Sequence, residues 1–148
     1  MISAANVTMR FGQKTLFENV SVKFNEGCRY GLIGANGAGK STFMKILTGE
    51  LAPTFGEIAV DQDKQIGYLK QDHYEFDEPT NHLDLESIEA LNYALILYNN
   101  TILFVSHDRE FISSLATRII EIDNGRITDF PGTLAEFEDM KKARARKR

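Results

Sequence analysis

The chain has 148 residues, 43% hydrophobic and 26% charged, which fits one globular domain with one core and excludes a disordered polyelectrolyte. No apolar run approaches the ~18 residues of a membrane span, and the opening MISAANVTMRFG lacks the charged-then-apolar pattern of a secretory signal, so a cytoplasmic location is expected. The net charge of −4 hides an asymmetry: the last eight residues, KKARARKR, carry six basic groups and no acid, leaving −10 for the other 140.

Residues 2–11 and 16–24 are short, rich in Val, Phe and Thr, and split by Gly12-Gln13-Lys14, so they predict a pair of antiparallel strands. CRYGLI at 28–33 predicts a third strand ending at a glycine cluster; its Cys28, the sole cysteine, cannot form an internal disulfide and is expected as a small buried thiol. A helix is expected from about Lys40 to Thr48, with Phe43, Met44 and Leu47 at helical spacing and Gly49 ending it.

Between that strand and that helix stands GANGAGKS at 34–41, a full match to G-x-x-x-x-G-K-[ST] in the context the motif requires. The glycines let successive N–H groups curl inward toward phosphate oxygens, and the helix N-terminus adds a positive partial charge. Gly34, Asn36, Gly37, Ala38 and Gly39 would thus form a phosphate cradle. Lys40 would reach the outer phosphates, the Ser41 hydroxyl would ligate Mg²⁺, and Thr42 would add a hydrogen bond to an oxygen.

Further along, 56–60 and 65–69 predict a second hairpin around the polar turn DQDK. Asp77-Glu78, before the strand-stopping Pro79, is a carboxylate pair of the kind that holds a metal through water and orients an attacking water beside a phosphate loop. Asp84 can cap a helix running to about Tyr98, with Leu85, Ile88, Leu91 and Leu95 as its apolar face. TILFVS at 101–106 has the continuous apolar character of a strand buried on both faces, and a helix should follow from about Asp108 to Ala116. His107 would then stand at the carboxyl end of a central strand, where open α/β sheets bind ligands, or serve only as a residue at a helix start. RIIEI and RITDF hinge on Asn124-Gly125, a hairpin signal, and Thr133 with Glu136 form a capping box for a last helix. The three histidines, 73, 82 and 107, show no zinc-ligand spacing with acids or Cys28. The expected fold class is α/β, a mostly parallel sheet flanked by helices with an antiparallel β-subdomain beside it.

GANGAGKST, DEPTNHLD and FVSHDREF in this order resemble the ABC-F subfamily of ATP-binding cassette ATPases, soluble proteins that act on ribosomes. The resemblance implies a P-loop NTPase core of ABC type that binds ATP and Mg²⁺. It implies Phe11 as the aromatic stacking on adenine and Gln71 as the Q-loop glutamine near the metal and the attacking water. Asp77 becomes the metal-directed acid, Glu78 the catalytic carboxylate, Asn81 to Asp84 the D-loop, and His107 the switch histidine. In such cassettes a helical subdomain with an LSGG-type signature lies between the Q-loop and the Asp-Glu pair, and no such sequence occurs here.

Residues 1–140 therefore resemble a truncated cassette lacking that subdomain between 71 and 77, followed by a basic tail at 141–148. The family's Asp-Glu pair ends an apolar strand expected beside the phosphate-loop strand, and HYEF at 73–76 supplies only two bulky apolar groups for it. Either residues 66–76 slide into that lane, or a second copy or another chain supplies the strand. The expectation is Mg·ATP binding with impaired turnover. The alternative is a non-hydrolysing ATP-binding or interaction module. Expected partners are a homodimer mate or a full-length cassette and, through the tail, ribosomal RNA; the tail can equally be a solvated end.

Overall fold

A computed structural model of the chain describes residues 2–61, 67–69 and 85–147. Strands β1 (Ile2–Phe11) and β2 (Lys14–Phe24) form the expected antiparallel pair, closed by the two-residue turn at Gly12-Gln13. Strand β3 (Arg29–Gly34) leads into helix α1 (Lys40–Leu47). Strand β4 (Phe55–Val60), the short β5 (Gly67–Leu69), helix α2 (Leu85–Leu97) and β6 (Ile102–Val105) follow. Helix α3 (Arg109–Leu115), the hairpin β7 (Arg118–Asp123) and β8 (Arg126–Phe130), and helix α4 (Leu134–Ala145) complete the order.

Two sheets result. The first is antiparallel, in the order β2-β1-β4; the second runs β5-β6-β3-β7-β8 and is parallel except for its last strand. The backbone bond from Glu18 N–H to the Gly125 carbonyl, 3.0 Å, ties β2 to the β7–β8 turn.

Period-two alternation in the central strands explains the layering, because successive side chains leave opposite faces. Tyr30, Leu32, Leu103, Ile120 and Ile122 face a core shared with the antiparallel sheet and α1, among them Val7, Phe17, Phe43 and Ile46. Ile102, Phe104 and Ile119 face the other way, against Phe111, Ile112 and Leu115 of α3 and Leu134 and Phe137 of α4. TILFVS is buried on both faces, as its unbroken apolar character predicts. Edge-to-face pairs, Phe17 with Phe43 at 5.6 Å and Phe104 with Phe111 at 5.6 Å, lock one contact in each layer.

Local chemistry fixes the ends of the elements. Asp108 accepts from Glu110 N and Phe111 N to cap α3, and Thr133 with Glu136 forms the reciprocal capping box of α4. Asn124 and Gly125 both take positive φ (49° and 76°), which a two-residue hairpin turn requires. Cys28 is half-buried at the edge of the first core rather than enclosed in it.

Two further expectations fail. Residues 56–60 and 67–69 do not form a hairpin: β4 pairs with β1 in the antiparallel sheet, while β5 pairs in parallel with β6 in the other. Spacing alone could not separate these outcomes, because both segments are short and β4, largely exposed, carries little burial signal of its own. No lane stands open beside the phosphate-loop strand either, since β6 and β7 flank β3 on both sides and β5 joins the far edge of β6. The Asp84 cap, residues 62–64 of the DQDK turn and the 70–84 segment lie outside the described residues. Along α2, Leu91 and Leu95 are half-buried, whereas Tyr93, Ile96 and Leu97 are exposed.

Candidate functional site

Strand β3 delivers the chain to Gly34, whose φ of 151° and tight surroundings leave no space for a side chain: a Cβ there would stand 2.5 Å from the Ile122 carbonyl oxygen. The loop then curls through Gly37 (φ 79°) and Gly39 (φ 107°) into α1. A left-handed Gly39 is the N-cap of α1, so this helix starts with no side-chain cap and no acid in its first turn. The N–H groups that a helix leaves without internal partners at its start are therefore available at the loop. Helices α3 and α4, by contrast, carry side-chain caps: Asp108 accepts from the Glu110 and Phe111 N–H groups, and Thr133 from that of Glu136.

Lys40 folds back over this loop. Its Nζ donates to the Gly34 carbonyl at 2.7 Å and the Ala35 carbonyl at 3.0 Å. Burial lowers its pKa below the usual lysine value, because desolvation disfavours the ammonium form.

The loop forms one wall of a cleft of about 670 Å³. Phe11, Lys14 and Leu16 of the first hairpin form another wall, and Val105 and His107 stand at the carboxyl end of β6. Asn36, Gly37, Gly39, Lys40, Ser41 and Thr42 all line it. Phe11 is 54% exposed, a large aromatic ring left in the open at the cleft wall. A smaller cavity of about 180 Å³ lies behind Lys40 and brings Gly34, Ser106, His107, Arg109 and Glu138 together. There Arg109 of α3 forms an ion pair with Glu138 of α4. His107 lines both spaces; the chain beside it is fixed by the bond from Asp108 N–H to Ser106 Oγ, 3.0 Å, and by the Asp108 cap.

The structure thus gathers Phe11, Lys40, Ser41, Thr42 and His107 around one cleft from three separated stretches of sequence. Two of the predicted loop residues do not line it: Gly34 lines the smaller cavity, and Ala38 packs against the first core, its N–H donating to the Ala35 carbonyl at 3.1 Å. Gln71, Asp77 and Glu78 lie outside the described residues. Lys14, Leu16, Met44, Lys45, Glu50 and Val105 line the cleft without having been singled out from sequence. Only Lys14 had a usable signal, its place in the turn beside Phe11.

Cleft size, uncapped helix start and glycine cradle suit a triphosphate, whose oxygens need convergent N–H donors and a cation. A flat aromatic wall at Phe11 suits a base. Ser41 and Thr42, at the second and third positions of α1, are the hydroxyl-bearing residues of the helix start that line the cleft, and either hydroxyl could serve a divalent ion.

Comparison with known proteins agrees with this geometry. Residues 17–143 match the ABC transporter family. Relatives include the Probable ATP-binding protein YbiT of Escherichia coli O157:H7, 33% identical over 92% of this chain. A Probable ATP-binding cassette sub-family F member 3 homolog of Encephalitozoon cuniculi is 29% identical over 93% of the chain, and the Energy-dependent translational throttle protein EttA of Haemophilus influenzae 26% over 96%. The chain spans 38%, 36% and 38% of these three proteins' lengths. The alignment with YbiT extends over 204 positions against 148 residues here, so the matched region of that relative contains residues with no counterpart in this chain. Among solved structures, an ATP binding subunit of an ABC transporter shares the fold at TM-score 0.74, with 17% identity, 96% of this chain and 93% of that one covered.

Proposed function

The chain belongs to the ABC transporter family, and from that premise we propose that it is a Mg·ATP-binding cassette domain of the ribosome-directed ABC-F branch whose turnover is weak. The observation that carries the nucleotide reading is the uncapped start of α1 beside Lys40, facing a cleft walled by Phe11 and His107. In this reading Phe11 stacks on adenine, and Gly34, Asn36, Gly37, Ala38 and Gly39 shape the loop whose amides hold the phosphates. Lys40 exchanges its two carbonyl partners for phosphate oxygens. Ser41, Gln71 and Asp77 would hold Mg²⁺, which supplies electrostatic shielding of the triphosphate. Glu78 orients or deprotonates the attacking water, with Gln71 and His107 beside it.

The names of two relatives, a sub-family F homolog and a translational throttle protein, support the ribosome-directed branch, as does the DEPTNHLD stretch of this sequence. No helix among the described residues is long and apolar enough to cross a membrane.

Weak turnover follows from what the sequence lacks. An LSGG-type segment is absent from all 148 residues, and the longer alignment with YbiT supports the loss of an internal piece. Each preorganised donor missing around a reacting phosphate costs on the order of 10²–10³ in rate. This favours a second outcome, a cassette that binds ATP and signals without hydrolysing it.

Paired measurements separate the two: a thermal melt with and without Mg·ATP, and phosphate release under the same conditions. Stabilisation accompanied by release that Glu78→Gln lowers, with the stabilisation kept, identifies an ATPase. Stabilisation without release identifies the non-hydrolysing module. No ATP-dependent change in melting and no release would sink both.

A further inference from the structure

We infer that the outward face of α2 is a self-association surface, on which a second copy of this chain docks antiparallel, α2 against α2. The contact uses neither the phosphate loop nor His107, so it leaves both nucleotide clefts open and differs from any pairing across them.

Helix α2 is apolar on two sides. On one, Leu91 and Leu95 are half-buried, Leu95 against the core beneath α3 and α4, and Asn92 Nδ2 donates to Ser114 Oγ of α3 at 3.2 Å. A turn of ~100° per residue puts Ala90, Tyr93, Ala94 and Leu97 on the opposite side, at the i, i+3, i+4, i+7 spacing of a packing stripe. All four are exposed, Tyr93 at 66% and Leu97 at 59%. Ile96 and Tyr98, also exposed, widen the patch at its borders. A helix with a second apolar stripe in water is one whose outer side is meant to be covered.

Charge and shape decide the occupant. Between Glu89 and Asp108 the sequence has no Asp, Glu, Lys or Arg, and between Lys70 and Arg109 it has no Lys or Arg. The only charged residues of α2 are acids, Glu86 and Glu89. An anionic membrane or a nucleic-acid strand would thus find no cation on this helix, and a charged protein surface would leave its own groups unpaired there. A copy of the same face brings no charge to desolvate. It also fits by shape. In an antiparallel pair about a two-fold axis the stripe has its midpoint between positions 93 and 94, so Tyr93 of each helix stands opposite Ala94 of the other, and Leu97 opposite Ala90. Large side chains meet small ones at every level. Two such faces cover on the order of several hundred Å² in total, short of the ~1,200 Å² at which stable complexes begin. The pair is therefore weak, with a dissociation constant of roughly 10 µM or above.

The test is sedimentation velocity on the full chain without nucleotide, from about 5 to about 500 µM, a range that brackets such a constant. The sedimentation coefficient should rise with concentration from monomer to dimer and no further, and raising the salt from ~50 to ~500 mM should not weaken the association, since no ion pair holds it. Leu97→Glu and, separately, Tyr93→Ser should each weaken it at least ~10-fold, with melting close to the parent's because both side chains are mostly exposed. Phe55→Ser, on β4 of the other sheet and equally open at 61%, should change nothing. The inference is overturned by a monomer at every concentration, by growth beyond a dimer, by weakening with salt, or by parent-like association in both α2 variants. A dimer that forms only with Mg·ATP and is lost in Lys40→Ala belongs to the nucleotide cleft and overturns it too. Because the association is read without ATP, its failure leaves the nucleotide reading untouched, and the reverse also holds.

Discussion

Replacing Lys40 by alanine should act on the empty and the filled protein in separable ways. Without nucleotide, the substitution removes donors to the Gly34 and Ala35 carbonyls at 2.7 and 3.0 Å. Hydrogen bonds from a charged group contribute ~1.5–3 kcal/mol each when well enclosed, and less where solvent screens them. Against this, a cation in the first turn of α1 opposes the helix dipole by ~0.3–1 kcal/mol. The net loss should be about 1–2 kcal/mol, which for a domain of this size lowers Tm by ~2–8 °C.

With Mg·ATP at ~100 times its dissociation constant, the unsubstituted protein should gain ~2.7 kcal/mol, or ~5–11 °C, and the variant close to nothing. Differential scanning fluorimetry with a nucleotide titration reads both effects. A variant that melts at or above the parent without ligand refutes the latch. A variant that keeps the full ligand-induced shift refutes the phosphate-loop reading.

The same residue has a pH signature of definite sign. Its pKa is lowered in the fold from 10.5, so just below 10.5 the unfolded chain holds more protons and stability should rise with pH there relative to Lys40→Ala, as pH-dependent denaturant unfolding can measure. Glu136 runs the other way in acid. The Thr133 backbone N–H, then its hydroxyl, hold the carboxyl below 4.5, so its stabilising effect is present above pH 4.5 and lost as pH falls through its folded value. Glu136→Gln should flatten that part of an acid-unfolding curve. Gly34→Ala places a Cβ 2.5 Å from the Ile122 carbonyl oxygen, whereas nothing lies within 4 Å of one at Gly37. Chemical denaturation should therefore show a loss of several kcal/mol for the first and about 1 kcal/mol, from backbone strain alone, for the second. Tyr30 is fully buried with its hydroxyl accepting from Asn25 N–H at 2.7 Å. Tyr30→Phe leaves that donor unmet and should cost ~1–3 kcal/mol in the same assay.

Local signals carried far in this chain wherever a short stretch determined its own geometry. The β1–β2 pair, the Asn124-Gly125 turn, both Thr133–Glu136 bonds and the ends of α1 stand where turn and capping chemistry put them. The phosphate loop was legible for the same reason, since its glycines fix the backbone within a few residues. Assignment of strands to sheets was not legible: β4 and β5 are adjacent in sequence and separate in the fold because their partners, β1 and β6, are chosen by long-range packing. Nor could spacing show that β6 and β7 occupy both lanes beside β3. The cleft residues missed from sequence, Leu16, Met44 and Val105 among them, are ordinary apolar residues whose proximity exists only after the sheets have stacked.

The Arg109–Glu138 pair joins the chain just past His107 to the middle of α4, and so turns the C-terminal helix into a lever whose short end rests behind the phosphate loop. From Glu138 to Arg144 the helix rises ~9 Å, so a tilt of ~10° at the pair swings Arg144 by more than an ångström. Through that pair a displacement of the 106–109 segment has a path to the basic end of the molecule, one that the anchoring of Leu134 and Phe137 in the second core resists.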